Sequence, residues 1–335
     1  MTDVVMERYL ARLVAGDPHG AVGVASELIA AGRSLDQVVE ELVCRAQVEV
    51  GRRWERNEWS VAQEHAATGA SEAVLAALGA LAGPERPTSQ GSLVAVCVEG
   101  EWHTLALRVI AEIVGRSGWD VTFLGPSVPA AQLARYLHDL GPDGLLLSCS
   151  VALNLGGARR VIEATRETGT PVLAGGRGFG TDDRRALLLG ANAWAGSAVG
   201  AVEVLGTWSR FTDPAPPLTH AGYGEHRTIE RTSADLVDAS MAALVAAFPA
   251  VASYDEEQVH RTREDLGYLL GFTSAALLVD DVDLLHEYVT WLDAVLSARG
   301  LPEQVVPVTL GAVATALDGS LPLAAAMVRD AASAR

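Results

Sequence analysis

Between residues 92 and 209, five short apolar runs alternate with five longer amphipathic ones, and few folds tolerate that order. The runs at 92–98, 119–124, 144–150, 171–174 and 193–195 are too short to be buried helices, and they read as strands. The stretches at 104–117, 129–140, 156–167, 181–189 and 198–209 repeat their apolar residues every three or four positions, as helices do. Strand and helix alternating five times predict an α/β domain built on a five-stranded, parallel, doubly wound (Rossmann-like) sheet. Such sheets bind ligands at the carboxyl ends of their strands, so the loops after the five runs are where chemistry is expected.

Both flanks are helical. Residues 1–83 carry three- and four-residue apolar spacing at 4–14, 20–31, 34–54 and 60–82. Ser34 and Asp36 stand as caps near the start of the third stretch, and Gly51 marks a candidate bend within it. Four helices with short connections predict an N-terminal four-helix bundle. Residues 83–91 (GPERPTSQG) read as a linker, as do residues 210–227. Beyond them, 229–248, 255–278, 282–298, 302–317 and 322–332 predict an all-helical region. The expected domains are therefore 1–83, 91–210 and 228–335.

Charge narrows the partners. The 335 residues include 42 acidic side chains against 25 basic ones, every one of them arginine, for a net charge of −17. A chain so acidic repels phosphate backbones and anionic lipid, so neither nucleic acid nor membrane is expected as a partner. No apolar run reaches the ~20 residues that span a bilayer. Residues 1–12 are charged, unlike a secretion signal. Cys44, Cys97 and Cys149 lie in apolar stretches with neither disulfide nor zinc spacing. Together these features predict a cytoplasmic protein.

The loop after the first strand reads Glu101-Trp102-His103-Thr104-Leu105-Ala106. It places a histidine where a doubly wound sheet presents a ligand-contacting group. Glu101, two residues earlier, is placed to fix the imidazole tautomer, as partners of metal-bound histidines do. Taken alone, the same residues also describe an ordinary loop histidine.

The loop resembles the Asp/Glu-x-His-x-x-Gly motif of the cobalamin-binding domains of methionine synthase and related light-sensing regulators, with Ala106 in place of the glycine. Further segments follow in the family's order. They are the loop containing Gly125 and Ser127 after strand two, Ser148-Cys149-Ser150 at the end of strand three, Gly175-Gly176 after strand four, and Leu189–Ala193 before strand five. The resemblance implies that cobalamin binds with its benzimidazole tail off the metal. His103 then takes cobalt from below, supported by Glu101, Thr104 and Leu105. Ser148 and Ser150 would line the slot that receives the tail, and glycines 175 and 176 would let the backbone approach it. At position 106 the extra methyl would strain the loop if a left-handed backbone is needed there.

In the helical region, Trp54 followed ten residues later by Glu64-His65 resembles the cap of photosensory B12 regulators of the light-responsive repressor type. There such residues cover the upper corrin face, where the adenosyl group sits. The bland alternative is a core tryptophan and a solvated helix edge. In those repressors a histidine directly follows the tryptophan and coordinates cobalt after photolysis. Glu55 holds that position here, with His65 as a substitute. Those repressors also carry a basic DNA-binding segment ahead of the cap, which this acidic sequence lacks.

The C-terminal helices add a third resemblance. Arg261, Arg263 and Asp265, followed by Tyr268 and the Asp280-Asp281 turn, are similar to the chromophore helix of phycobiliproteins, with Thr262 in place of the attachment cysteine. This implies a globin/phycobiliprotein-like domain holding biliverdin without a thioether. Asp265 would face the pyrrole N–H groups and the arginines the propionates, while Tyr254, Tyr268, His286 and Trp291 would offer flat surface. A plain helical dimerisation domain is the alternative. The combination resembles the photocobilins. It implies a non-enzymatic light sensor that binds adenosylcobalamin and biliverdin, self-associates in a light-dependent way and acts on an unknown effector. A corrinoid methyl carrier and a non-photic B12-responsive scaffold are the competing expectations.

Overall fold

The computed structural model describes residues 3–81 and 89–334. Most of the expected first linker, residues 83–88, and the final residue of the fourth stretch, Ala82, lie outside the described residues. The chain divides into two compact units, residues 1–150 with 160–215 and residues 151–159 with 216–335.

The first unit opens with α1 (Asp3–Val14), α2 (Pro18–Ala30), α3 (Leu35–Val38), α4 (Arg45–Glu55) and α5 (Val61–Leu81). Asp17 caps α2 through the Gly20 amide, and Ser34 caps α3 in a reciprocal box with Gln37. The third stretch is broken by a π-helical turn at Val39–Cys44, and Gly51 sits in regular helix. The bend expected at Gly51 is therefore displaced toward the N-terminus. Val39, Leu42 and Val43 are fully buried, so core packing holds the widened turn in place.

The sheet consists of β1 (Ser92–Cys97), β2 (Asp120–Gly125), β3 (Gly144–Ser148), β4 (Val172–Gly175) and β5 (Ala193–Ala195), all parallel in the order β2-β1-β3-β4-β5. Strand order reverses between β1 and β3, which makes their carboxyl ends the switch point where such sheets bind ligands. The helices between strands are α6 (Leu105–Arg116), α7 (Ala130–Leu140), α8 (Leu155–Glu167), α9 (Arg184–Leu188) and, after β5, α10 (Ala198–Leu205). Helix α6 has two apolar faces. Leu105, Val109 and Ile113 join the core of α1–α5, while Leu107 and Val114 join the core beneath the sheet. A helix apolar on two sides is buried on two sides, so the bundle and the sheet share it.

The second unit is helical, with α11 (Ala221–Ala247), α12 (Glu256–Leu278), α13 (Val282–Ala298), α14 (Val305–Leu317) and α15 (Pro322–Ser333). Helix α11 starts inside the expected 210–227 linker, which is a correction. Gly222 has a packing reason to be glycine, because a Cβ there would lie 2.7 Å from the Leu277 carbonyl of α12. His226 joins the same pair, with Nδ1 2.8 Å from Ser274 Oγ and Nε2 3.4 Å from Glu230. Glu225 accepts the Leu323 and Ala324 amides at the head of α15. Residues 151–159 belong to this unit, with Leu153 against Gly271 of α12. No helix among the described residues is long and apolar enough to cross a membrane.

Two glycines separate backbone strain from crowding. Gly176 has φ +100°, and a Cβ there would sit 2.4 Å from the Cys149 carbonyl. Gly169 has φ +79° with open space around it. Gly169→Ala should cost about 1 kcal/mol from backbone strain alone. Gly176→Ala should cost about 3 kcal/mol or more, because the backbone must also shift. Urea unfolding of both variants checks the order.

Candidate cofactor site

The loop between β1 and α6 is held by a carboxylate. Glu101 is fully buried. Its Oε1 accepts the His103 amide at 3.1 Å and lies 2.5 Å from His103 Nδ1, and its Oε2 accepts the Ser150 amide at 2.8 Å. The two oxygens thus tie the loop after β1 to the end of β3, across the switch point. The loop after β2 is fastened to the same place. Ser127, at φ +51°, donates its amide to the Glu101 carbonyl, and its Oγ accepts the Gly100 amide. Gly125 precedes it, at the irregularity where β2 slips against the end of β1. Strand β3 ends at Ser148, so Ser150 belongs to the loop that Glu101 anchors.

The imidazole of His103 is mostly exposed, and its Nε2 has no hydrogen-bond partner among the described residues. The Glu101 hydrogen bond raises the His103 pKa above the ordinary value. Desolvation opposes this, and the charges of Glu101 and Glu64 add to it. A ring with Nδ1 fixed by a carboxylate and Nε2 open is oriented to donate to a metal. Beneath it, burial pushes the Cys97 thiol up to about 12, so it stays protonated 3.7 Å from the His103 carbonyl. Ala106 lies in the first turn of α6 with an ordinary backbone and an exposed side chain, so the strain considered for that position does not arise.

The helical face of α4 and α5 meets this loop. Thr104 donates to Glu72 of α5 at 2.5 Å, and Leu105 is buried in the shared core. Glu64 and Thr68 lie on the same stripe as Glu72, spaced by four. Gln47 of α4 donates to Thr68, Thr68 donates to Glu64 at 2.8 Å, and the other Glu64 oxygen is 2.5 Å from His65 Nδ1. The His65 ring is largely exposed. Trp54 is half-buried on α4, two turns beyond Gln47 on the same side. Gln47 Oε1 is buried without a donor. Gln47, Thr68 and Glu72 were not singled out in the sequence. The signal for two of them was present, as the i+4 stripe running on from Glu64.

Ser148 and Gly175 line a narrow slot between the sheet and helices α6 and α10. It holds about 10 Å³, room for one water, so a benzimidazole enters only if the walls part. The atoms that exclude a side chain at positions 175 and 176 are the carbonyls of Ala195 and Cys149, so the glycines are required by the fold's own backbone.

The residues expected to hold a bilin fall into three groups. Tyr254 and Asp265 line a cavity in the second unit. Tyr268 and Trp291 are exposed, and the Trp291 ring continues a stack of Phe272 and Tyr288 whose centroids are 3.7 and 5.9 Å apart. Arg261 pairs with Glu257, Arg263 with Asp238, and His286 with Asp330 at 3.0 Å, so these three are engaged at the surface.

Two family models, each described as a B12 binding domain, match residues 91–205 and residues 5–78. Over 123 residues the chain is 30% identical to dimethylamine corrinoid protein 3 of Methanosarcina mazei, covering 36% of this chain and 73% of that protein. The chain belongs to the B12-binding family. It is also 33% identical over 178 residues to the HTH-type transcriptional repressor CarH of Myxococcus xanthus, covering 51% of this chain but only 56% of the repressor. The monomethylamine corrinoid protein of Methanosarcina barkeri shares the fold, with a TM-score of 0.54 at 18% identity over 61% of this chain and 98% of that one. Cobalamin fits the residues present. His103 would hold cobalt through Nε2, Glu101 fixes the ring, and Gln47 Oε1 is a buried acceptor without a donor.

The Glu101–His103 pair predicts a pH dependence. Its folded pKa is raised, so the pair stabilises the cofactor-free protein fully below about pH 6.5 and loses that effect as pH rises through the raised value. Urea midpoints should fall across that window in the wild type, and His103→Ala should remove this component of the slope. An unchanged slope in the variant would contradict the pairing.

Proposed function

We propose that this protein is a B12-dependent light sensor whose resident form is adenosylcobalamin. The observation that carries the reading is the buried Glu101 carboxylate, which fixes His103 at the switch point within reach of the field of Glu64 on the helical face opposite. Similarity to CarH across half of this chain supports it. Adenosylcobalamin supplies a cobalt–carbon bond that visible light breaks. His103 would hold the metal through Nε2, with Glu101 fixing the ring. Trp54 offers an indole face to an adenosyl group, and Glu64 and Gln47 offer acceptors to its hydroxyls and amine. Once that group has left, the polar ties among Gln47, Thr68, Glu64 and Glu72 are free to re-form in another arrangement. The helical face then repacks, and self-association changes with illumination.

The C-terminal helices support a second pigment. Tyr268 and Trp291 are exposed, Trp291 beside the Phe272–Tyr288 stack, and offer aromatic faces to an open-chain tetrapyrrole such as biliverdin in a globin- or phycobiliprotein-like domain. The relation to corrinoid proteins of methylamine metabolism favours one competing reading, a methyl carrier.

Dark-reconstituted protein should take up adenosylcobalamin at least about tenfold more tightly than methylcobalamin. Its spectrum should be of the base-off type and should bleach under green light, with a change in mass by light scattering. His103→Ala should lose the His-ligated spectrum. Preference for methylcobalamin, with no change on illumination, would establish the carrier reading instead. Co-production with a heme oxygenase should add a long-wavelength band that Trp291→Ala diminishes, and a colourless product would remove the second pigment.

A further inference from the structure

The second unit encloses a cavity of about 360 Å³ walled by α11–α14 and the turns between them. That is large enough for a small organic ligand. Its walls are mostly aliphatic, and no Arg or His lines it among the described residues. One charged group does, the carboxylate of Asp265, which has no hydrogen-bond or ion-pair partner among the described residues. Burial raises the Asp265 carboxyl above the usual range, and the neighbouring charge of Glu264 adds to this. Asp265 is itself exposed, so its carboxylate is open to a ligand that enters the cavity from solvent.

The remaining polar groups favour the same kind of ligand. Thr262 donates its hydroxyl hydrogen to the Gln258 carbonyl and Thr309 to the Val305 carbonyl, each at 2.8 Å. Toward a ligand both can therefore act only as acceptors. Only Tyr254 and Gln304 bring donors of their own. The lining is rich in acceptors and carries one negative charge. It suits an apolar body with a donating, cationic head and repels a carboxylate.

We propose that this cavity binds a small organic amine, its hydrocarbon part among the aliphatic walls and its ammonium group paired with Asp265. An ammonium group on Asp265 would make a charge-assisted hydrogen bond, stronger than the neutral one an alcohol offers there. The cavity lies in the second unit, and Asp265 is near enough to Tyr288 for its charge to help raise that phenol's pKa.

Titration calorimetry of the full-length protein with octylamine, octanol and octanoate tests it. The amine should bind tightest and octanoate weakest, differing by at least about tenfold. Asp265→Asn should bring amine and alcohol to similar affinity. Leu292→Trp or Val308→Phe, each filling the cavity, should abolish binding of all three while cobalamin uptake and helical circular dichroism persist. Equal affinity for amine and octanoate would overturn the proposal, as would no binding by any of the three. So would an amine preference that survives Asp265→Asn or persists when the cavity is filled, since that marks adsorption to an acidic surface.

Discussion

The site depends on one buried charge. Removing a carboxylate from water costs several kcal/mol unless donors replace the lost hydration. Those of Glu101 include the amides of His103 and Ser150 and the His103 ring. Because they come from the ends of two different strands, satisfying the charge also sets the distance between those ends. Ligand geometry and fold stability are thus the same set of hydrogen bonds. The β2 loop joins through the Glu101 backbone, at a residue whose left-handed conformation is held by two hydrogen bonds rather than by glycine.

Helix α6 extends this arrangement outward. It begins where the histidine loop ends, so its two apolar faces fix the loop against the sheet on one side and against the N-terminal helices on the other. The histidine therefore does not ride on a free loop. Its position follows from a helix packed on both flanks, which limits the imidazole to small motions relative to the strands.

The parallel sheet could be read from the chain because its strands are short, apolar and separated by helices of ordinary period. His103 could be read because its motif is local, with carboxylate, ring and strand end within eight residues. What escaped was decided by tertiary contact. The π-turn at Val39–Cys44 carries no breaker residue and exists because Val39, Leu42 and Val43 pack inward. Helix α11 begins among glycines that looked like linker, because close approach to α12 requires one of them, Gly222. Asp265 and Tyr268, three residues apart, are neighbours on one face of α12, but that both lie close to Tyr288 of α13 is a tertiary fact no local pattern carries.

The N-terminal helices are held to the histidine loop in two physically different ways, and the difference bears on signalling. Along α6 the contact is mainly aliphatic and buried, with the Arg116–Asp36 ion pair beside it, and it is costly to separate because most of the surface exposed would be apolar. Around Thr104 it is polar, through Glu72, while the chain from Gln47 through Thr68 to Glu64 ties α4 to α5. Exchanging such hydrogen bonds for others, or for water, has a net cost of only about 1 kcal/mol each. A change in what fills the space above His103 therefore acts first on the polar rim, while the aliphatic seam holds. If an upper ligand is lost, as the proposed light-sensing function requires, the polar ties on the N-terminal helices exchange at the least cost, ahead of the packed seam along α6.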